Sequence, residues 1–224
     1  MFGGFFRAGT WAVWRVFLAA LFALPMTADQ LAVYQRHTGR STPPTASLHE
    51  AWLVCGRRGG KSFVLATIAV FLAAFKDWRR NLAPGEVGVI MIIAADRRQA
   101  RVIMRYCTGL LKAVPMLAKL IEAETRETIE LRNRITIEIH TASFRTTRGY
   151  TIVAALLDEL AYWATDEASA EPDTEGEYGE RDVSDAAGPA VVQHGAEIRV
   201  VRHPAIDPHE APRSHAERVI EHFP

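Results

Sequence analysis

An apolar stretch, Ala51 to Val54, runs into Cys55-Gly56-Arg57-Arg58-Gly59-Gly60-Lys61-Ser62 and then into a second apolar stretch, Phe63 to Phe75. A short apolar run, a glycine-rich hinge with one lysine and a longer apolar run predict a strand that turns through a loop into a helix. Glycines let such a loop wrap, so that successive backbone N–H groups and the positive end of the following helix face an anion. In this pattern Lys61 reaches the β- and γ-phosphates of a nucleoside triphosphate, and Ser62 offers its hydroxyl to Mg²⁺. The usual spacing, G-x-x-x-x-G-K-[ST], would put glycine at position 55, where this chain has Cys55. The first glycine stands one place later, at Gly56, and two arginines, Arg57 and Arg58, enter the loop.

A second, independent element supports the reading. Thr151 to Leu157 is a nearly continuous apolar run that ends in Asp158-Glu159, as expected of a buried parallel strand delivering acids to the C-terminal edge of a sheet. It reads as a Walker B element, in which Asp158 holds Mg²⁺, directly or through water, and Glu159 polarises the attacking water. Alone, the two acids could equally open a helix, where negative charge suits the dipole. The phosphate-loop pattern upstream favours the first reading.

Composition sets outer limits. The 224 residues are 49% hydrophobic, enough for one domain with a sizeable core. Lys+Arg 26 against Asp+Glu 26 leaves no net charge, so any contact with nucleic acid has to come from local patches. The 2 cysteines, Cys55 and Cys107, are too few for a disulfide framework and fit a reducing cytosol. Val16 to Leu24, with Arg7 and Arg15 ahead of it, has the look of a signal-peptide core. The run is far shorter than the about 20 apolar residues a spanning helix needs. Phe5, Trp11, Trp14, Phe17 and Leu21 also recur at helical spacing, which predicts an amphipathic helix against a core or a partner, no membrane, and a cytoplasmic location.

The remaining pattern alternates helix and strand. Thr27 to Gly39 reads as a helix with Thr27 as N-cap and Gly39 as stop, followed by a loop through Pro43-Pro44. After the loop-bearing helix come a turn at Pro84-Gly85, a buried strand over 87–95 and a long helix capped by Asp96 and running to about Leu111. A helical stretch is expected from Leu117 to Ala123, and a half-buried strand or hairpin from Ile129 to His140, with Ile135, Ile137 and Ile139 on one face. The expected fold is α/β, a P-loop NTPase-like, mostly parallel and incomplete sheet flanked by helices. Residues 1–47 form a helical lead-in, 48–174 the ATPase core, and 175–224 a divergent, irregular tail.

The ordered set of motifs resembles the ATPase half of the large terminase subunits of tailed bacteriophages, the motors that pump DNA into preformed capsids. The resemblance is carried by GRRGGKS, by Ile93-Ala-Ala-Asp-Arg-Arg-Gln-Ala100, by Thr147-Arg-Gly149 and by LLDELAYW from Leu156 to Trp163, with the lead-in from Leu24 to Arg40, and covers roughly residues 1–174. It implies ATP and Mg²⁺ as cofactors, hydrolysis as the reaction and a bacterial host cell as the setting. The partners it implies are double-stranded DNA gripped by its backbone, a portal protein, a small terminase subunit and further copies of the chain in a ring on the portal. It also implies that Arg57, four residues before Lys61, senses or stabilises the γ-phosphate beside the catalytic Lys61 and Glu159; such arginines are worth ~10³-fold or more in rate. Arg58 could serve in place of Arg57 among the nucleotide-binding residues but is read as a loop residue facing DNA or solvent; Arg145 and Arg148, which could touch nucleotide or DNA, are read as solvated loop residues, and Trp163 as packing.

The coupling motif and the acidic nuclease cluster that follow in full-length large terminases are not recognisable, so no nuclease activity is expected. After Thr174 the sequence changes character and gathers His194, His203, His209, His215 and His222 among prolines. Either the reading frame has shifted near position 175 or the group ends in a divergent segment. A zinc site on His203, His209 and His215 is set aside, because a six-residue spacing matches no compact ligand pair on a helix. Two rivals stay open: a helicase-like or other DNA-dependent P-loop ATPase, and a non-catalytic prophage remnant.

Overall fold

The computed structural model describes residues 2–56, 58–141, 149–160, 163 and 196–202. Two 3₁₀ turns, Phe2–Phe6 and Gly9–Trp11, lead into helix α1 (Ala12–Leu21) and then α2 (Ala28–Thr38). The predicted signals bound α2. Thr27 Oγ1 accepts the Gln30 N–H at 3.3 Å, Gln30 Oε1 accepts the Thr27 N–H at 2.9 Å, and Gly39 ends the helix at φ 68°. α1 is gripped on two sides: Trp14 and Leu21 enter the main core, while Val16 and Ala20 pack on Tyr34 of α2. No helix among the described residues is long and apolar enough to cross a membrane.

Strand β1 (Glu50–Cys55) feeds the glycine loop and α3 (Lys61–Phe75). α3 is apolar on every side and buried without a break from Val64 to Val70, which makes it the central helix. β2 (Gly88–Ala94) is buried along its whole length, as a strand covered on both faces must be. α4 (Arg97–Lys112) is amphipathic, with Ala100, Ile103, Met104, Cys107, Leu110 and Leu111 buried at helical spacing. The Asp96 carboxylate caps it, accepting the N–H of Arg98 at 2.5 Å and of Gln99 at 3.1 Å.

The helix expected from Leu117 to Ala123 is not there. Pro115 starts a single turn, α5 (Pro115–Ala118), and the chain then extends into β3 (Ile121–Glu124). Arg132 N–H donates to the Leu120 carbonyl at 2.9 Å and Ile121 pairs opposite Leu131, so cross-strand pairing overrides local helical preference. Where a half-buried strand or a hairpin is expected, β4 (Thr128–Leu131) and β5 (Ile135–Thr141) form a hairpin, and β6 (Thr151–Asp158) ends in the first of the two acids. Part of the tail read as irregular is also ordered into the sheet, as β7 (Ala196–Arg202).

The sheet order is β1-β7-β6-β2-β5-β4-β3. β6, β2 and β5 are parallel neighbours, while β7 lies antiparallel to both β1 and β6, and β4 to both β5 and β3. The fold is thus α/β with a mixed open sheet. The side of β6 away from β2 is occupied by β7. Strand alternation sorts the two faces. Ile90, Ile92, Ile135, Ile137, Ile139 and Leu156 meet the helices, whereas Val89, Met91, Ile93, Ile152, Ala155 and Leu157 form a second cluster with Tyr150, Leu160 and Trp163. Asp158 pairs in register with Ala94, a residue of the helical side, so its side chain emerges toward α3.

Candidate functional site

Cys55 explains the displaced glycine of the loop. It is the last residue of β1, extended and paired in register with Ala196, and that backbone needs no glycine. Burial pushes its thiol up, with Asp158 and Glu159 adding to the shift and Lys61 opposing it, so the sulfur stays protonated at neutral pH. The turn begins at Gly56. The Gly59 N–H reaches the Gly56 carbonyl at 3.4 Å, Arg58 takes a left-handed φ of 60°, and Gly60 caps α3 at φ 83°. The last of these is a position that favours glycine. Arg58 and Gly59 are exposed, whereas Lys61 and Ser62, the first two residues of α3, are half-buried. Their N–H groups have no intrahelical acceptor and lie at the positive end of the helix dipole.

Lys61 meets Asp158, the last residue of β6, and, 98 positions away, Glu159 just after it. Its ammonium donates to Glu159 Oε1 and lies 3.3 Å from Asp158 Oδ1. Asp158 is fully buried, and Gln99 Nε2, from the first turn of α4, donates to its other oxygen, Oδ2, at 3.1 Å. Oδ1 accepts no hydrogen bond of good geometry, and its contact with Lys61 is an ion pair. Burial raises the carboxyl above its ordinary range; the Lys61 charge pulls the other way and the Glu159 charge adds to the rise. Asp158 Oδ1 is thus a buried carboxylate oxygen with acceptor capacity to spare, the type of hard donor that a hard cation takes.

Glu159 follows at φ 56°, a left-handed conformation that a non-glycine residue adopts at a cost of ~1–3 kcal/mol. Its side chain is 27% exposed, so it faces the mouth of the site while Asp158 forms the floor. Trp163 fixes the same turn, its Nε1–H donating to the Asp158 carbonyl at 3.1 Å, in keeping with a packing role.

The structure therefore brings Gly56, Arg58, Gly59, Gly60, Lys61, Ser62, Asp158 and Glu159 to one end of the sheet. Arg57, Arg145, Arg148 and the tail histidines lie outside the described residues. Among the described residues no group of three or more His, Cys, Asp or Glu gathers as a metal centre. Sequence reasoning missed two contributors. Gln99 could have been found, because a helix that directly follows β2 places its first turn at the sheet edge where Asp158 arrives. Trp14, whose Nε1–H donates to the Gly59 carbonyl at 2.6 Å, left no local signal of that contact. No protein-family model matches this chain, and no curated protein is significantly similar to it.

Proposed function

We propose that the chain binds Mg²⁺-ATP at the end of α3 and hydrolyses it, as a P-loop ATPase. The observation that carries this reading is the convergence of Lys61 with Asp158 and Glu159 at a glycine-lined helix N-terminus. The loop from Gly56 to Gly60, with the N–H groups of Lys61 and Ser62, would cradle the phosphates, and the Lys61 ammonium would exchange Glu159 for the β- and γ-phosphate oxygens. Asp158 and the Ser62 hydroxyl would hold Mg²⁺, which when bound neutralises charge on the phosphates. Glu159, released from Lys61 by that exchange, accepts the proton of the attacking water. Arg57 would face the γ-phosphate.

The setting follows from the motif resemblance. The reading is that of a large-terminase ATPase module acting in the cytoplasm of a bacterial host. Its partners would be double-stranded DNA, a portal protein, a small subunit and copies of itself in a ring. DNA would be held by its phosphates without sequence readout.

Turnover of ATP by the purified chain with Mg²⁺, with and without double-stranded DNA, tests the proposal beside Lys61→Ala and Glu159→Gln. Glu159→Gln should bind ATP and lose about 10²–10⁴-fold in rate, the range of a general base, and Lys61→Ala should lose binding as well. Equal background rates in all three proteins would leave a non-catalytic remnant.

A further inference from the structure

Three features of the loop and helix start, at Gly59, Gly60 and Phe63, are held by residues that precede α2. Trp14 is buried on α1 and donates its indole N–H to the Gly59 carbonyl at 2.6 Å, across 45 positions of sequence. Trp11 lies over Gly60, where a Cβ would come within 2.8 Å of its Cη2 and 2.9 Å of its Cζ3. Phe6 and Trp11 each pack on Phe63, in the first turn of α3, with ring centroids 5.6 Å apart. Tyr106 of α4 meets the same Phe63 ring edge-on at 5.5 Å.

We infer that Trp14 is a positioning residue of the phosphate loop, and that α1 is part of the triphosphate-binding apparatus; this rests on the function proposed above. In a planar trans peptide the carbonyl and the N–H point in opposite directions. An indole that holds the Gly59 carbonyl toward α1 therefore turns the Gly60 N–H away from α1, to the side where the N–H groups of Lys61 and Ser62 have no intrahelical acceptor. Gly59 and Gly60 have no side chains to resist rotation of the peptide between them, so the indole hydrogen bond is a restraint on its turning over. With the indole in place the cradle is set before an anion arrives, and less ordering accompanies binding. Trp11 closes the same peptide from above and leaves room for glycine alone at position 60.

Calorimetric titration of the full chain with inorganic triphosphate and with ATP, both with Mg²⁺, tests the inference. Trp14→Phe keeps the ring and removes the N–H. It should weaken both ligands by the same factor, about three- to tenfold, as expected for one hydrogen bond. Equal factors are expected because the contact acts on the phosphates and not on the base. A lower melting temperature with unchanged affinities would overturn the inference and leave the nucleotide site standing, whereas wild-type chain that takes up neither ligand would overturn both. Should Trp14→Phe not fold, the Trp14 indole N–H resonance of the wild-type chain supplies the readout. It is expected to move on saturation with inorganic triphosphate, and a resonance that stays in place overturns the inference.

Discussion

Replacing Lys61 by methionine keeps the aliphatic stem and deletes the ammonium that lies between the two acids. At 3.3 Å the attraction to Asp158 is about 5 kcal/mol at an effective dielectric constant near 20, before desolvation is subtracted. Truncating one partner of a buried pair costs ~3–5 kcal/mol, because the other charge is left behind. The Lys61 side chain is 13% exposed and that of Glu159 27%, so solvent screens part of the interaction. We expect a loss of about 2–4 kcal/mol near neutral pH, measured by urea unfolding without nucleotide. The loss should depend on pH in a definite direction. Asp158 titrates above its ordinary value of 3.8 in the folded chain, burial being the main cause and Lys61 the main restraint. Deleting Lys61 raises it further. A group raised on folding contributes stability that is present in full below the unfolded value and is lost as pH rises through the folded one. The deficit of Lys61→Met should therefore be greatest near neutrality and shrink as pH falls through the raised folded value toward 3.8. A deficit below about 1 kcal/mol, or one that does not change with pH, would refute a buried, lysine-compensated Asp158.

Two further outcomes follow from the same site. Gly60→Ala combines a φ of 83° with a Cβ 2.8 Å from Trp11, and should cost ~1–3 kcal/mol in urea unfolding; unchanged stability would show that the aromatic roof is loose. Asp158→Asn removes the buried charge but leaves Lys61 with Glu159, so the nucleotide-free chain should gain stability near neutral pH and match the wild type below 3.8. Loss of stability at neutral pH would mean that the ion pair outweighs the burial of its carboxylate.

Local chemistry made much of the site legible. The hinge between two apolar runs placed Lys61 at the head of α3, and the apolar run ending in two acids placed Asp158 and Glu159 at the end of β6. The capping residues Thr27, Gly39 and Asp96 marked helix ends because each acts on backbone groups within a few positions of itself. What escaped notice lies far apart in sequence. Ile121 turned from helix to strand because its partner is Leu131, and Trp14 found Gly59 across 45 residues, contacts that local periodicity does not encode. The patch Ile198 to Val201 is too short to distinguish from an isolated apolar cluster until its neighbours β1 and β6 are known. The left-handed turn at Glu159 is likewise imposed by its surroundings, since glutamate has no intrinsic liking for it.

The place of β7 has a consequence for how the chain comes into being. Among the described strands β1 joins the sheet through β7, so the lysine-bearing loop and the acids are linked in one sheet by a strand that is synthesised after both. On a ribosome, Asp158 emerges 44 residues ahead of Arg202, an interval of about two to nine seconds at ordinary rates of elongation. Through that interval the nascent polypeptide holds both halves of its chemistry without the piece that registers them, and a chaperone that shields the waiting flank of β6 should raise the yield of native protein.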